Sequence, residues 1–154
     1  MAKADWKDEL ASFIDDLRVV DECKAEAPGK FNQFCEFIAE SSFESLSEEL
    51  KIYGIKSKVR KEKRKSIAFE VNFPKSRVDH FHYVIRLPNN ALDLQLRLLI
   101  RGRKDKKSQI EEKEVPFMKN IKPSSVLKLS KEELILDVIK HYKKFISEAL
   151  IYSE

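Results

Sequence analysis

The stretch SIAFEVNFPKSRVDHFHYVIRL, residues 66–87, decides the fold class of this chain. Apolar and other residues alternate on both sides of a short segment that contains Pro74. A period of two puts the apolar side chains on one face of a strand, so each half of the stretch predicts a half-buried strand. Two antiparallel strands joined by a short turn account for the whole stretch. The apolar set is Ile67, Phe69, Val71, Phe73, Phe81, Tyr83, Ile85 and Leu87.

Further strands are predicted on both sides of this pair. Residues 92–100 alternate in the same way and predict a third regular strand. Residues 50–60 become a strand with one apolar face if a bulge is placed at Gly54. Residues 109–117 predict a weaker strand, whose charged residues and Pro116 suit an exposed edge. Because the connections are short and sequential strands usually pair, we expect a meander.

Helical spacing of apolar residues marks the two ends of the chain. Residues 5–22 follow this spacing, with Asp5 as N-cap. A second helix is predicted to start near Pro28, with Pro28-Gly29 as the break between the two. A long helix over 130–151 begins with Ser130 and Glu133 at capping-box spacing and carries a broad apolar stripe.

The predicted fold class is therefore α+β: an antiparallel meander sheet of four to five strands, one face covered by two N-terminal helices and one long C-terminal helix. A length of 154 residues with three Gly and five Pro favours a single domain, 1–154. Within it we expect a helical part at 5–48, the sheet at 50–118 and the C-terminal helix at 130–151.

Charge is distributed unevenly along the chain. Residues 1–50 hold five basic and thirteen acidic residues, whereas residues 51–107 hold seventeen basic and five acidic ones. No apolar run approaches the roughly 18 residues of a membrane span, and the acidic N-terminus does not resemble a secretory signal. We therefore expect no membrane partner and a cytoplasmic protein whose two cysteines, Cys23 and Cys35, stay reduced.

The basic middle third is the main candidate for function. Clusters of Lys and Arg attract phosphate backbones through counterion release, and they attract acidic protein surfaces by charge. The two basic turns would lie at opposite ends of the sheet. Strands of about seven or eight residues, at about 3.3 Å per residue, would separate them by roughly 25 Å. The alternative is that these charges solvate the sheet or pair with the acidic helices. The predicted anion-contacting residues are Lys56, Lys58, Arg60, Lys61, Lys63, Arg64, Lys65, Arg86, Arg97, Arg101, Arg103 and Lys104.

Signals for chemistry are poor, which favours a protein that is not an enzyme and has no cofactor. His80 and His82 share one strand face, where a solvated face is a better explanation than a metal site with Asp93. Asp93, Glu112 and Lys113 only loosely match a metal-dependent nuclease pattern.

The sequence thus predicts a non-catalytic binding or regulatory module for an anionic partner, either nucleic acid or an acidic protein. One alternative is a self-associating interaction domain, in which acidic helices meet basic surfaces or two edge strands pair. Another is a small-molecule binder with a cavity beneath the last helix. The side chains that would line this cavity are Phe69, Phe73, Phe81, Tyr83 and Tyr142.

Overall fold

A computed structural model of the chain describes residues 5–72, 80–103, 110–119 and 121–151. The helices are α1 (Trp6–Phe34), α2 (Glu40–Ile52), α3 (Pro123–Val126) and α4 (Lys131–Ile151), and a π-helical turn, Cys35–Ala39, joins α1 to α2. The strands are β1 (Lys56–Glu62), β2 (Ser66–Asn72), β3 (His80–Arg86), β4 (Arg97–Arg103) and β5 (Glu111–Pro116). They form one antiparallel sheet in the order β1-β2-β3-β4-β5, so the predicted fold class is confirmed.

The register of the sheet places the predicted apolar residues on one face. Phe69 of β2 lies opposite Tyr83 of β3, which in turn lies opposite Ile100 of β4. Phe69 and Tyr83 are fully buried, and Phe43 of α2 stacks on Phe69 with ring centroids 5.2 Å apart. The core therefore lies between this face and a layer made of the end of α1, the π-helical turn, α2 and α4.

The predicted break at Pro28-Gly29 is wrong, because α1 runs through both residues. A proline inside a helix costs about 3 kcal/mol. Burial of Phe31 and Phe34, both completely inaccessible, offsets this cost at about 1.5–3 kcal/mol each. The change of helix comes later, where the Glu40 amide donates to the Cys35 carbonyl, five residues back, as in a π-helix.

The predicted strand over 50–60 starts too early. Helix α2 continues to Ile52 and ends in a Schellman motif, in which the Gly54 amide donates to the Lys51 carbonyl and the Ile55 amide to the Leu50 carbonyl. Gly54 has φ 75°, the left-handed conformation that this motif needs, so the glycine ends a helix and does not form a bulge.

The predicted third strand also starts too early, since β4 begins at Arg97. Residues 88–96 are irregular because Asp93 closes a local turn: its carboxylate accepts from the Leu94 amide and its carbonyl from the Gln95 amide. Leu94 and Leu96 are nevertheless buried. The alternation of apolar residues over 92–96 therefore comes from packing in the core, and this segment is not a strand of the sheet.

The predictions for the end of the chain are confirmed. Strand β5 is an edge strand and is mostly exposed. Ser130 caps α4 by accepting from the Glu133 amide at 3.1 Å. None of the described helices combines the length and the hydropathy that a membrane span requires.

The first part of α1 departs from the expected packing on the sheet. Only Ala27, Phe31 and Phe34 of this helix are buried. Residues 6–26, which we call the free half, are exposed except for the half-buried Val20 and Cys23. At about 1.5 Å per residue, the free half extends roughly 30 Å.

Candidate anion-binding surface

The sheet face opposite the helices is built from rows of residues across the strands. The middle row runs from Arg60 through Ala68, Val84 and Leu99 to Glu114. Its three central residues form a second, smaller buried cluster. The long charged side chains around them can cover such an apolar strip with their methylene groups. This face therefore has an apolar centre as well as basic residues.

Acidic residues neutralise the β3–β4 part of this face. Glu114 accepts from Arg86 at 2.8 Å and from Arg97 at 3.2 Å, and Glu112 accepts from Arg101 at 2.7 Å. Pairing with the acidic helices was the alternative expected from the sequence, whereas the partners here are glutamates of β5. Such part-exposed pairs contribute only about 0–1 kcal/mol each to stability. They do, however, reduce the charge that these arginines present to a partner.

Arg103 and Lys104 complete the predicted basic set at the end of β4. Arg103 has an interaction of its own within the chain. Lys104 lies outside the described residues. Each described cation of the predicted second basic turn, Arg101 and Arg103, therefore has an interaction within the chain.

The charge on β1 is less balanced. Lys56, Lys58 and Arg60 project from the outer face of this edge strand. Glu70 is the acidic side chain beside them, 3.7 Å from Lys58 and 2.9 Å from Arg60. One carboxylate thus pairs with two of the three cations, and Lys56 has no ion pair among the described residues. The three cations line a cleft of about 380 Å³, together with Ser57 and His82.

The β1–β2 turn extends this positive charge beyond the sheet. Lys63, Arg64 and Lys65 line a groove of about 470 Å³ with Lys24 of α1, and residues 87–89 form its other side. Within the described chain, Lys65 has an ion pair with Glu62 at 3.7 Å. We call the six cations of β1 and its turn the basic edge; they are Lys56, Lys58, Arg60, Lys63, Arg64 and Lys65.

Arg64 holds an unusual backbone conformation at the tip of this turn. Its φ is 65°, in the left-handed region that costs a residue with a side chain roughly 1–2 kcal/mol. Non-glycine residues in such conformations are concentrated at binding sites and tight turns. A glycine would suit the backbone better, but it would remove the guanidinium from the groove.

Lys61 does not belong to the basic edge, although it lies on the same strand. It faces the helices, opposite Ile67, and its Nζ lies 3.1 Å from Glu40. The side-chain hydrogen bond with Glu40 raises the pKa of Lys61. This lysine therefore fastens β1 to the start of α2.

Among the side chains that the structure describes, which do not include His80, the metal and nuclease patterns considered from the sequence are not assembled. Asp93 lies before β4 and is 3.6 Å from Lys30. Glu112 and Lys113 point to opposite faces of β5, because they are adjacent in a strand. Across the described ranges, no three His, Cys, Asp or Glu residues are grouped as metal ligands.

Aromatic side chains fill the space around Phe69, Phe81 and Tyr142, three of the residues named as the lining of a ligand cavity. Phe81 packs against Tyr142 at 5.4 Å and against Phe145 at 5.7 Å, measured between ring centroids. A space beside Phe69, Phe81 and Tyr142 measures about 30 Å³, whereas ligand sites are usually about 300–1,000 Å³. Phe73, the remaining candidate for the lining, lies outside the described residues.

A polar network beneath α4 was not predicted from the sequence. The buried Tyr83 hydroxyl donates to Asp137 at 2.5 Å, and His141, one helical turn later, lies 3.5 Å from the same carboxylate. Burial raises the pKa of Tyr83, and the Asp137 carboxylate adds to this effect. Burial also lowers the pKa of His141, against the opposing effect of Asp137. The spacing of Asp137 and His141 on one helix face was the available signal.

Comparison with protein-family models, with characterised proteins and with solved structures found no match to this chain.

Proposed function

We propose that this protein is a non-catalytic binding or regulatory module that contacts an anionic partner through the basic edge. The partner would be a nucleic-acid backbone or an acidic protein surface, and the cytoplasm is the proposed location. The observation that carries this proposal is the unequal pairing of the two basic regions. Glu112 and Glu114 pair with three arginines of β3 and β4, whereas on β1 Glu70 pairs with Lys58 and Arg60, and Lys56 beside them has no ion pair among the described residues.

The mode of contact would be electrostatic. Proteins that bind single strands without sequence preference usually stack bases on exposed aromatic side chains. Phe69, Phe81 and Tyr83 point into the core and are fully buried, so their rings are not available on the outer face. The basic edge would therefore contact phosphates or carboxylates and would discriminate little between base sequences.

Binding measured against salt tests this proposal. Fluorescence anisotropy would follow labelled duplex DNA, single-stranded DNA and RNA, with polyglutamate as the acidic-protein mimic. With three to four phosphate contacts on duplex DNA, affinity should fall about 40–150-fold between roughly 50 and 200 mM salt. The expected result is binding that shows this dependence, and its absence for all four probes at about 50 mM salt would refute the proposal.

Matched variants locate the contact. K63Q/R64Q/K65Q should lower the slope of log affinity against log salt by about 2.7, at roughly 0.9 per lost contact. The control K119Q/K122Q/K128Q removes the same charge from exposed lysines after β5 and should leave the slope unchanged. R97Q should also bind normally, because Arg97 is already paired with Glu114. An equal loss in the control variant would mean that net charge, and not the basic edge, drives binding.

A further inference from the structure

The free half of α1 has an apolar stripe that nothing in the described chain covers. Trp6 is 68% exposed, Phe13 57% and Leu17 42%. Monomeric proteins rarely leave a contiguous apolar stripe of this kind in water, and large exposed patches mark interaction sites. The stripe is the strongest such feature of the described surface.

The spacing of the stripe is that of a heptad repeat. Successive members are four and three residues apart, which is the a/d pattern of helices that pack side by side. The same repeat continues into the second half of α1, where its members are buried in the core. One face of α1 therefore carries the repeat along its whole length, but within the described chain only its second half is packed. The a and d positions are Trp6, Leu10, Phe13, Leu17, Val20, Lys24, Ala27, Phe31 and Phe34.

We propose that the free half of α1 pairs antiparallel with the free half of a second copy of this chain. In such a pair, a positions pack against d positions of the other helix. Leu10 then meets Val20 of the second copy, Phe13 meets Leu17, and Trp6 meets Lys24. The whole free half is matched in this register. Residue 27, where burial in the core begins, lies just beyond the partner's Trp6, so the paired segment ends before the buried part of α1.

Charges beside the stripe favour this orientation. The e positions of the repeat are Lys7, Ile14 and Asp21. In an antiparallel pair, Lys7 of each copy lies opposite Asp21 of the other copy, which gives two such contacts. Ile14 of one copy lies opposite Ile14 of the other. A parallel pair would instead set Asp16 beside Asp21 of the second copy, an unfavourable contact between like charges. The antiparallel register has one unfavourable contact, Asp16 opposite Asp16.

The available area predicts a dimer of modest affinity. An aromatic residue offers about 150–250 Å², so two aromatic and four aliphatic side chains per copy bring the buried total to the order of 1,000 Å². Specific interfaces start near about 1,200 Å² in total. We therefore expect a reversible dimer with a dissociation constant in the micromolar range. This interaction uses none of the six cations of the basic edge, but Lys24, which would meet Trp6 of the second copy, also lines the groove of Lys63, Arg64 and Lys65.

Sedimentation equilibrium and Trp6 fluorescence test the dimer directly. Trp6 is the only tryptophan, so its emission should shift to shorter wavelength as concentration rises and the dimer forms. The dimer should persist at about 0.5 M salt, because apolar contacts are not screened. A wild-type chain that stays monomeric at about 200 μM, above the micromolar range expected, overturns the proposal. Loss of the dimer in high salt also overturns the proposal. That result would indicate a dimer held by charge, between the acidic helices of one copy and the basic surface of the other.

Two residues of similar exposure provide matched variants. Leu17 is on the stripe, whereas Val19, 56% exposed, points away from it. L17E should weaken the dimer at least 10-fold, and V19E should leave it within about twofold of wild type; circular dichroism would confirm that both stay folded. Equal effects of the two variants would contradict the proposal.

Charge exchange tests the register. K7E should weaken the dimer about 3-fold or more, and K7E/D21K should restore it, because a surface ion pair contributes up to about 1 kcal/mol. D16N should strengthen it by removing the repulsion between the two copies of Asp16. Failure of K7E/D21K to recover the affinity lost in K7E would rule out this antiparallel register.

Discussion

Substitution of Gly102 by alanine should destabilise the protein through a single contact with α4. Gly102 lies on the core face of β4, and the ring of Phe145 occupies the space where its side chain would be. A Cβ at this position would lie 2.2 Å from Phe145 Cζ and 2.5 Å from Cε2. Carbon atoms pack favourably at about 3.5–4.0 Å, so the ring would have to move by more than about 1 Å.

The size of the effect follows from the surroundings of this ring. Phe145 is 7% exposed and packs against Phe81, so its movement disturbs the core. Inserting a methyl group into a packed core costs about 1–3 kcal/mol. Replacing a strand glycine by alanine returns about 0.5–1 kcal/mol. We therefore expect G102A to lower the free energy of unfolding by about 1–2 kcal/mol.

Urea denaturation followed by circular dichroism measures this difference, and a double-mutant cycle assigns it. F145A alone should cost about 3 kcal/mol, as expected for loss of a mostly buried phenylalanine. Once the ring is gone, G102A should raise stability by about 0.5–1 kcal/mol, so the coupling energy equals the steric cost of about 1–3 kcal/mol. The control G29A, at an exposed helical position with no atom within 4 Å, should raise stability by about 0.5–1 kcal/mol. Additive effects of G102A and F145A, within about 0.5 kcal/mol, would refute the steric explanation.

Three further predictions concern buried polar groups. Y83F should lower the free energy of unfolding by about 1.5–3 kcal/mol, because it removes the hydrogen bond between the buried hydroxyl and the Asp137 carboxylate; an unchanged urea midpoint would contradict this. His141 has a pKa lowered by burial, so the folded state binds fewer protons than the unfolded state, and stability should fall as pH drops through about 6.5. H141Q should reduce that pH dependence of the urea midpoint, and an identical profile would count against it. Burial raises the pKa of Cys35 to about 12, so a thiol reagent at pH near 8 should modify the half-exposed Cys23 in the native protein and Cys35 only after denaturation, as mass spectrometry of peptides would show.

Strands β2 and β3 were predictable because a period of two with one buried face determines both the strand and its register. Phe69 and Tyr83 had to point the same way, and a one-residue slip would have exposed both. Helix α4 was predictable for the same kind of reason, since its stripe is wide and Ser130 marks its start. In these elements, local preference and burial agree.

The errors arose where burial and local signals disagree. Pro28 favours a break, but Phe31 and Phe34 are buried only if the helix continues through it. The exposure of Leu10 and Phe13 could not be read from their spacing, because spacing shows which residues share a face and not whether another element reaches that face. Tertiary contacts decide both cases.

The candidate binding surface was only partly predictable for a related reason. The sequence counts charges, but neutralisation depends on which strands are neighbours. Strand β5 lies beside β4 and brings Glu112 and Glu114 to its arginines, whereas β1 is an edge strand with β2 alone beside it. The basic cluster of β1 is therefore less neutralised than that of β4, although the two look alike along the chain.

The order of the elements has a consequence for how the protein is made. All five strands precede α4, and α4 helps to cover the apolar face of the sheet. Residues 117–151 take roughly 2–7 s to synthesise at about 5–20 residues per second. Until α4 has been made and has docked, any strands that have paired have an apolar face that is only partly covered. We expect molecular chaperones to bind the nascent chain in this window, which closes when α4 docks.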